Sequence, residues 1–170
     1  MPTCNPGGAP VVSLVAPQQS SGVVLDDINK AIVEELQEDG RRSYGAIARA
    51  VGLSEAAVRQ RVQKLRDAGV MQIVAVTDPL QVGFRSQAMV GIRTEGDVRQ
   101  VADSLAAVDA IDYVVMCAGS FDILVELVCE HDDSMLELLN GVIRRIPGVR
   151  DTETFIYLKL TKQTYTWGTR

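Results

Sequence analysis

Histidine and tryptophan occur once each in this 170-residue chain, cysteine three times, and aromatic residues make up 5%. Each shortage excludes something. Cys4, Cys117 and Cys129 have no metal-ligand spacing, so no metal centre is expected. Cys117 and Cys129 sit in apolar strand patterns and read as core filler. Such cysteine usage suits a reduced, cytoplasmic protein. His131, followed by Asp132 and Asp133, reads as a surface residue at a helix start that Asp132, Asp133 or Ser134 caps. No Ser-His-Asp set or phosphate loop can be assembled, so no catalytic residue and no cofactor are expected. No apolar run reaches about 18 residues, so no membrane helix is expected and the membrane is not a partner.

What is present is an aliphatic chain. Apolar residues make up 46%, enough to bury one ordinary core or two small ones. Residues 1–24 are rich in Pro, Gly, Ser and Gln, lack the basic n-region of a secretory signal, and read as a disordered tail. Net charge is −5, weak evidence against a nucleic-acid partner. Its distribution points the other way. Between Gly40 and Asp67, seven basic residues face two acidic ones, a local +5 that leaves −10 for the rest.

Residues 25–38, "LDDINKAIVEELQE", place Ile28, Ile32 and Leu36 at helical spacing, with Asp26 and Asp27 at the favourable end. Ser43 can cap a second helix, "YGAIARAV", which Gly52 ends, and Ser54 can cap a third, "EAAVRQRVQKLRDA". Two short helices around a glycine turn resemble a helix-turn-helix: Ala48 permits close approach, Gly52 the turn, and Val58 seats the second helix. Any corner of two helices needs the same three residues. The exposed side of the third helix adds to the signal. Opposite Val58 lie Ala56, Arg59, Gln60, Gln63 and Asp67, flanked by Glu55, Arg61, Lys64 and Arg66. Arg and Gln reach base edges in the major groove, and Arg and Lys neutralise phosphate. A merely solvated helix face would mix Glu with Lys. Residues 70–77, "VMQIVAVT", are β-branched, stop at Asp78-Pro79, and read as a strand.

From Phe84 the pattern changes to β-α-β-β-α-β, the split-βαβ, ferredoxin-like arrangement. Strands are expected at 84–94, 111–117, 122–130 and 152–161, with helices at 97–108 and 134–146. Ile123, Val125 and Leu127 face the helices. The other side mixes Val114, Met116, Leu124, Val128, Phe155 and Tyr157 with Asp112, Glu126 and Lys159. A partly apolar second face needs a cover, and a second copy of the same sheet is the natural one, which predicts a homodimer.

Taken together, residues 25–83 look like the winged helix-turn-helix of the Lrp/AsnC family of regulators. The "LD-DIN-AI" opening, the "LS-AAV-QRV-KL---GV" block and the following βαββαβ unit stand in the family's order, from Leu25 to about Thr164. The resemblance implies an α+β protein in parts: a winged helix-turn-helix DNA-binding domain with its linker strand (25–77), a hinge (78–83), a ferredoxin-like Lrp-type effector-binding and oligomerisation domain (84–164), and a C-terminal tail (165–170). It implies a transcription regulator whose partners are double-stranded operator DNA, a small effector, usually an amino acid, and itself, as dimers, tetramers or octamers. Phosphate contacts fall to Arg41, Arg42, Arg61, Lys64 and Arg66, and base contacts to Glu55, Ala56, Arg59, Gln60 and Gln63. Ser43 and Ser54 stand at the helix ends that meet the DNA.

In the family, a glycine-x-x-aspartate turn contributes to an effector pocket between subunits, and Gly119-Ser120-Phe121-Asp122 matches it. An amino acid offers an ammonium and a carboxylate. Asp122 can accept the first, and N–H groups around Ala118, Gly119 and Ser120 can hold the second. Met116 and Phe121 would line the pocket, with Thr152 and Thr154 as hydroxyl donors from the far wall. Asp122 can equally accept bonds within its own turn. Trp167 can pack on its own domain or across an interface. Two other classes stay open: an amino-acid-binding ferredoxin-like scaffold without DNA binding, and a small dimeric ferredoxin-like enzyme.

Overall fold

A computed structural model describes residues 25–170. The expected tail of residues 1–24, with Cys4, lies outside them. The chain forms two compact units: Thr77–Thr161, and the described residues up to Val76 together with Lys162–Arg170.

In the second of these, three helices enclose a small core. They are α1 (Asp27–Glu38), α2 (Tyr44–Val51) and α3 (Glu55–Asp67). Each begins where the sequence offers a cap: Asp26 accepts from the Asn29 N–H at 2.7 Å, Ser43 from Ala46 and Ser54 from Ala57, both at 3.2 Å. Gly52 ends α2 in the left-handed region, φ 71°, and so allows the tight turn into α3. Ile32, Leu36, Ile47, Ala48, Val58 and Val62 form the core. Burying an aliphatic side chain of this size stabilises the fold by about 1.5–3 kcal/mol. The C-terminal residues return to α1: Gly168 N–H donates to Gln37 at 3.1 Å, and the Thr169 hydroxyl to Glu34 at 2.5 Å. Trp167 stays exposed, edge-on to Tyr165 at 6.2 Å.

The strand expected at residues 70–77 does not form. A strand needs a ladder partner, and none of the described residues supplies one; Ile73, Val74 and Val76 lie exposed along irregular backbone. Across the expected hinge, Pro79–Val82 forms a short 3₁₀ turn, capped by Asp78 and closed by Gly83 at φ 109°.

The other unit is a four-stranded antiparallel sheet, order β2-β3-β1-β4, from β1 (Ser86–Thr94), β2 (Ile111–Met116), β3 (Ile123–Cys129) and β4 (Val149–Ile156). α4 (Val98–Ala106) and α5 (Asp132–Glu137) supply the crossings. Ala88, Val90, Ile92, Ile123, Val125 and Leu127 form the core with Val101, Leu105, Met135 and Ile143. Cys129 belongs to it, whereas Cys117 is exposed past the end of β2, so only the first is core filler.

Several expectations need correction. β4 starts three residues earlier than expected and stops at Ile156. The helix expected over 134–146 is regular only to Glu137. It then widens into a π turn, Leu138–Val142, and tightens into a 3₁₀ turn, because Asn140-Gly141 favours helix poorly. His131 itself takes the N-cap position of α5, and its ring bonds the Ser134 hydroxyl. Val114 pairs with Val125 and packs on the core, not on the open face. A bulge between Ile111 and Tyr113 shifts β2 by one residue, which exchanges its two faces.

Candidate functional site

α3 presents Ala56, Arg59, Gln60, Gln63, Lys64 and Arg66 to solvent, while Val58, Val62 and Leu65 anchor its back. The face expected to meet DNA is therefore assembled. Its members differ in how free they are. Glu55 pairs with Arg59 at 2.9 Å, and Arg59 lies 5.2 Å above the Tyr44 ring. Gly45 lets the Glu55 carboxylate approach α2: a Cβ there would stand 3.3 Å from it. Gln63 donates to Asp67 at 2.6 Å.

Two of the expected phosphate contacts are occupied inside the unit. Arg61 donates to Asp26 at 2.8 Å and to the Asn29 side chain at 2.9 Å, and is only partly exposed. That bond, with the Asn29 N–H, holds the Asp26 carboxyl below its ordinary value. Arg42 is paired with Glu35 and with Glu38 at 3.0 Å, and the Glu35 bond raises its pKa further. Arg41 is exposed, and its N–H donates to Asp39 at 2.9 Å. A groove of about 400 Å³ between Asn29, Leu53, Ala57, Gln60, Arg61 and Lys64 lies beside α3. Ser43 and Ser54 are the helix caps.

The second site lies where β2 turns into β3. Residues 117–122 form a loop closed by Cys117 N–H on the Asp122 carbonyl at 2.9 Å, while Asp122 N–H donates to the Ile92 carbonyl at 2.9 Å. The Asp122 carboxylate has a partner that the sequence did not suggest. It accepts the Thr94 N–H at 2.7 Å and the Thr94 hydroxyl at 3.2 Å, across the sheet rather than within its own turn. Ala118, Gly119 and Ser120 are exposed at the loop tip.

Phe121 folds back over the open face. Its ring covers Gly91, where a Cβ would stand 2.7 Å from three ring carbons. Phe155 meets it edge-on at 6.1 Å, and the Arg93 guanidinium lies 4.5 Å from its centroid. Arg93 also donates to the Ser120 carbonyl at 3.0 Å and pairs with Asp151 at 2.7 Å and Glu153 at 3.8 Å.

Met116, Thr152 and Thr154 are not brought to this cluster. Directly paired residues share a face. Met116 pairs with Ile123, Thr152 with Ile92 and Thr154 with Val90, all on the helix side. Thr152 accepts from Arg144 there at 2.8 Å. The residues that the sequence reading missed are Gly91, Arg93, Thr94, Asp151, Glu153 and Phe155. The period of two was available to find them: Gly91 and Arg93 alternate with Val90 and Ile92, and Asp151, Glu153 and Phe155 with Thr152 and Thr154.

Elsewhere on the open face Glu126 accepts from Gln87 at 2.8 Å. Tyr157 is pushed up to about 12 by desolvation and by Glu126, and Asp112 is raised by desolvation and by Glu126.

Comparison with known proteins agrees with this architecture. The sequence model of an AsnC-type helix-turn-helix domain matches residues 25–66, and that of a C-terminal dimeric alpha+beta barrel domain matches residues 84–170. An uncharacterised HTH-type transcriptional regulator of Pyrococcus furiosus is 34% identical over 85% of this chain and 97% of its own. The leucine response regulatory protein LrpA of Mycobacterium tuberculosis is similar in structure, with TM-score 0.74 and 29% identity over 82% of this chain and 96% of that one. A transcriptional regulator of Neisseria meningitidis, solved as a complex with L-Met, shares the fold with TM-score 0.71 and 24% identity over 84% and 96% of the two chains.

Proposed function

The chain belongs to the AsnC/Lrp family of helix-turn-helix transcriptional regulators, and on that premise we propose that it binds operator DNA sequence-specifically as a homodimer under the control of an amino-acid effector. The observation that carries the DNA half is the exposed face of α3, where Arg59, Gln60, Gln63, Lys64 and Arg66 stand on a helix anchored by Val58, Val62 and Leu65. Two such helices in a dimer address a pseudo-palindromic site. Gln60, Gln63 and Arg59 select bases, and Lys64, Arg66 and Arg41 take phosphates. Arg61 and Arg42 serve first to hold α1 against its neighbours.

The second copy covers the sheet face that carries Leu124, Val128 and Phe155, and the exposed residues 73–76 find their ladder partner in it. The effector binds beside the loop of residues 117–122. Its ammonium is received by carboxylates of that rim; Asp122 contributes its Oδ1, since both bonds from Thr94 fall on Oδ2. Such a regulator works in the cytoplasm, and its relatives named above are a transcriptional regulator and a leucine response regulatory protein.

A mobility-shift assay against genomic fragments at two salt concentrations tests the DNA half. The expected result is a specific complex whose affinity falls steeply with salt. A protein that retards every fragment equally, or none, would overturn the reading. A thermal-shift screen against the twenty amino acids tests the effector half; no stabilisation by any of them would overturn it.

A further inference from the structure

Resting on that effector reading, we propose that Arg93 takes the carboxylate of the amino acid and that Asp151 with Glu153 takes its ammonium, against an apolar wall of Phe121 and Phe155. The open face carries a charge arrangement that the fold does not need. Arg93, Asp151 and Glu153 stand together at the end of the open face, with Asp151 and Glu153 two residues apart on one side of β4. Both acids are more than half exposed, so their pairing with Arg93 contributes little to stability. A zwitterion brings one group of each sign. Inserted between the guanidinium and the acids, it replaces each lost partner with one of the same charge, and no ion is left alone.

Arg93 is also held ready for this exchange. Its Nε donates to the Ser120 carbonyl at 3.0 Å, and its guanidinium carbon lies 4.5 Å from the Phe121 ring centroid. Both contacts survive when Nη1 leaves Asp151. The planar fork then meets a carboxylate with two parallel donors. A group fixed beforehand loses less freedom on binding.

The surroundings select the ligand class. Two carboxylates beside one guanidinium disfavour phosphates and other polyanions. The edge-to-face pair of Phe121 and Phe155, 6.1 Å apart, offers an apolar surface next to the charged triad. An α-amino acid with an apolar side chain satisfies all of these groups. Asp122, bonded to Thr94 through Oδ2, keeps the loop and Phe121 in place and leaves its Oδ1 as a further acceptor at the same rim.

The test uses the full chain and calorimetry. Each of the twenty L-amino acids is titrated, and the tightest binder is compared with its α-amide and its N-acetyl derivative. Wild type should prefer the free acid to the amide by about tenfold or more, the effect of one charged hydrogen-bonded contact. Arg93→Gln should erase that preference while leaving the preference for a free amine, and Asp151→Asn with Glu153→Gln should do the reverse. Arg93→Lys, which keeps the charge and loses the fork, should retain part of the acid preference and guards against a folding failure of the first variant. An Arg93→Gln protein that still prefers the acid assigns the carboxylate to the loop N–H groups and overturns this inference alone. A wild type that binds none of the twenty overturns the effector reading with it.

Discussion

Thr94 gives both its backbone N–H and its hydroxyl to one oxygen of Asp122, at 2.7 and 3.2 Å, and so ties the end of β1 to the loop before β3. Asp122→Ala leaves the Thr94 N–H without its acceptor in a part-buried place. The expected cost is about 1–3 kcal/mol. Asp122→Asn, which keeps an acceptor oxygen of the same shape, should lose less. Chemical denaturation of the three proteins checks the order, and equal midpoints for all three would remove Asp122 from the fold's stability.

Arg59 and Arg61 stand two residues apart on α3 and should fail differently. Arg59 faces solvent, so Arg59→Ala should weaken operator binding by about 1–3 kcal/mol and relax specificity at one base pair. Arg61 is bonded to Asp26 and Asn29, so Arg61→Ala should lower the melting temperature and weaken all DNA sequences alike. Competition binding and melting curves read the two effects. A specificity change from Arg61→Ala without loss of stability would make it a base reader after all.

Two aspartates should give opposite pH signatures. Asp26 is held below its ordinary value of 3.8, chiefly by the hydrogen bond from Arg61. Its stabilisation is therefore present above pH 3.8 and lost as pH falls through the folded value. Asp112 is raised above 3.8 by desolvation, with Glu126 adding to it. Between 3.8 and the raised value the folded chain binds more protons than the unfolded one. Stability contributed at this site falls as pH rises through that window and stays lower above it. Asp112→Asn should raise the melting temperature at neutral pH and lose that advantage below pH 3.8, and Asp26→Asn should lower it at neutral pH. Melting curves across the acid range decide both signs.

The sequence was most informative where structure is local. Ser43 and Ser54 were legible as caps because the bond each makes spans three residues, and Asp26 was legible as a charge at the start of α1. Ile123, Val125 and Leu127 were legible because one face of β3 is fully covered. Residues 70–77 carried a strand pattern and still form no ladder among the described residues, because pairing is a property of two segments and not of one. Val114 was assigned to the wrong face by a single bulged residue. The Asp122 partner lies 28 residues away, at a register that only the folded sheet creates. The same holds for the candidate site: its loop could be read from Gly119-Ser120-Phe121-Asp122, but Arg93, Asp151 and Glu153 meet only through the β1–β4 pairing.

The contact of Phe121 with Gly91 gives the sharpest test of how that loop is held. A methyl group at residue 91 would meet the ring at 2.7 Å, well inside any real carbon contact, so the ring must leave its place. Gly91→Ala should therefore cost about 1–3 kcal/mol, the usual effect of overpacking. It should also release the Arg93 guanidinium from the ring. Phe121→Ala loses the ring's contacts with Gly91, Phe155 and Arg93, but opens the space that the methyl group needs. In the double variant the methyl meets no ring, so the combined loss should be smaller than the sum of the single losses. That non-additivity is expected for residues in direct contact. Denaturation of the four proteins measures it. Strict additivity would mean that the ring does not rest on Gly91 in solution, and that the loop holding Asp122 is set by Thr94 alone.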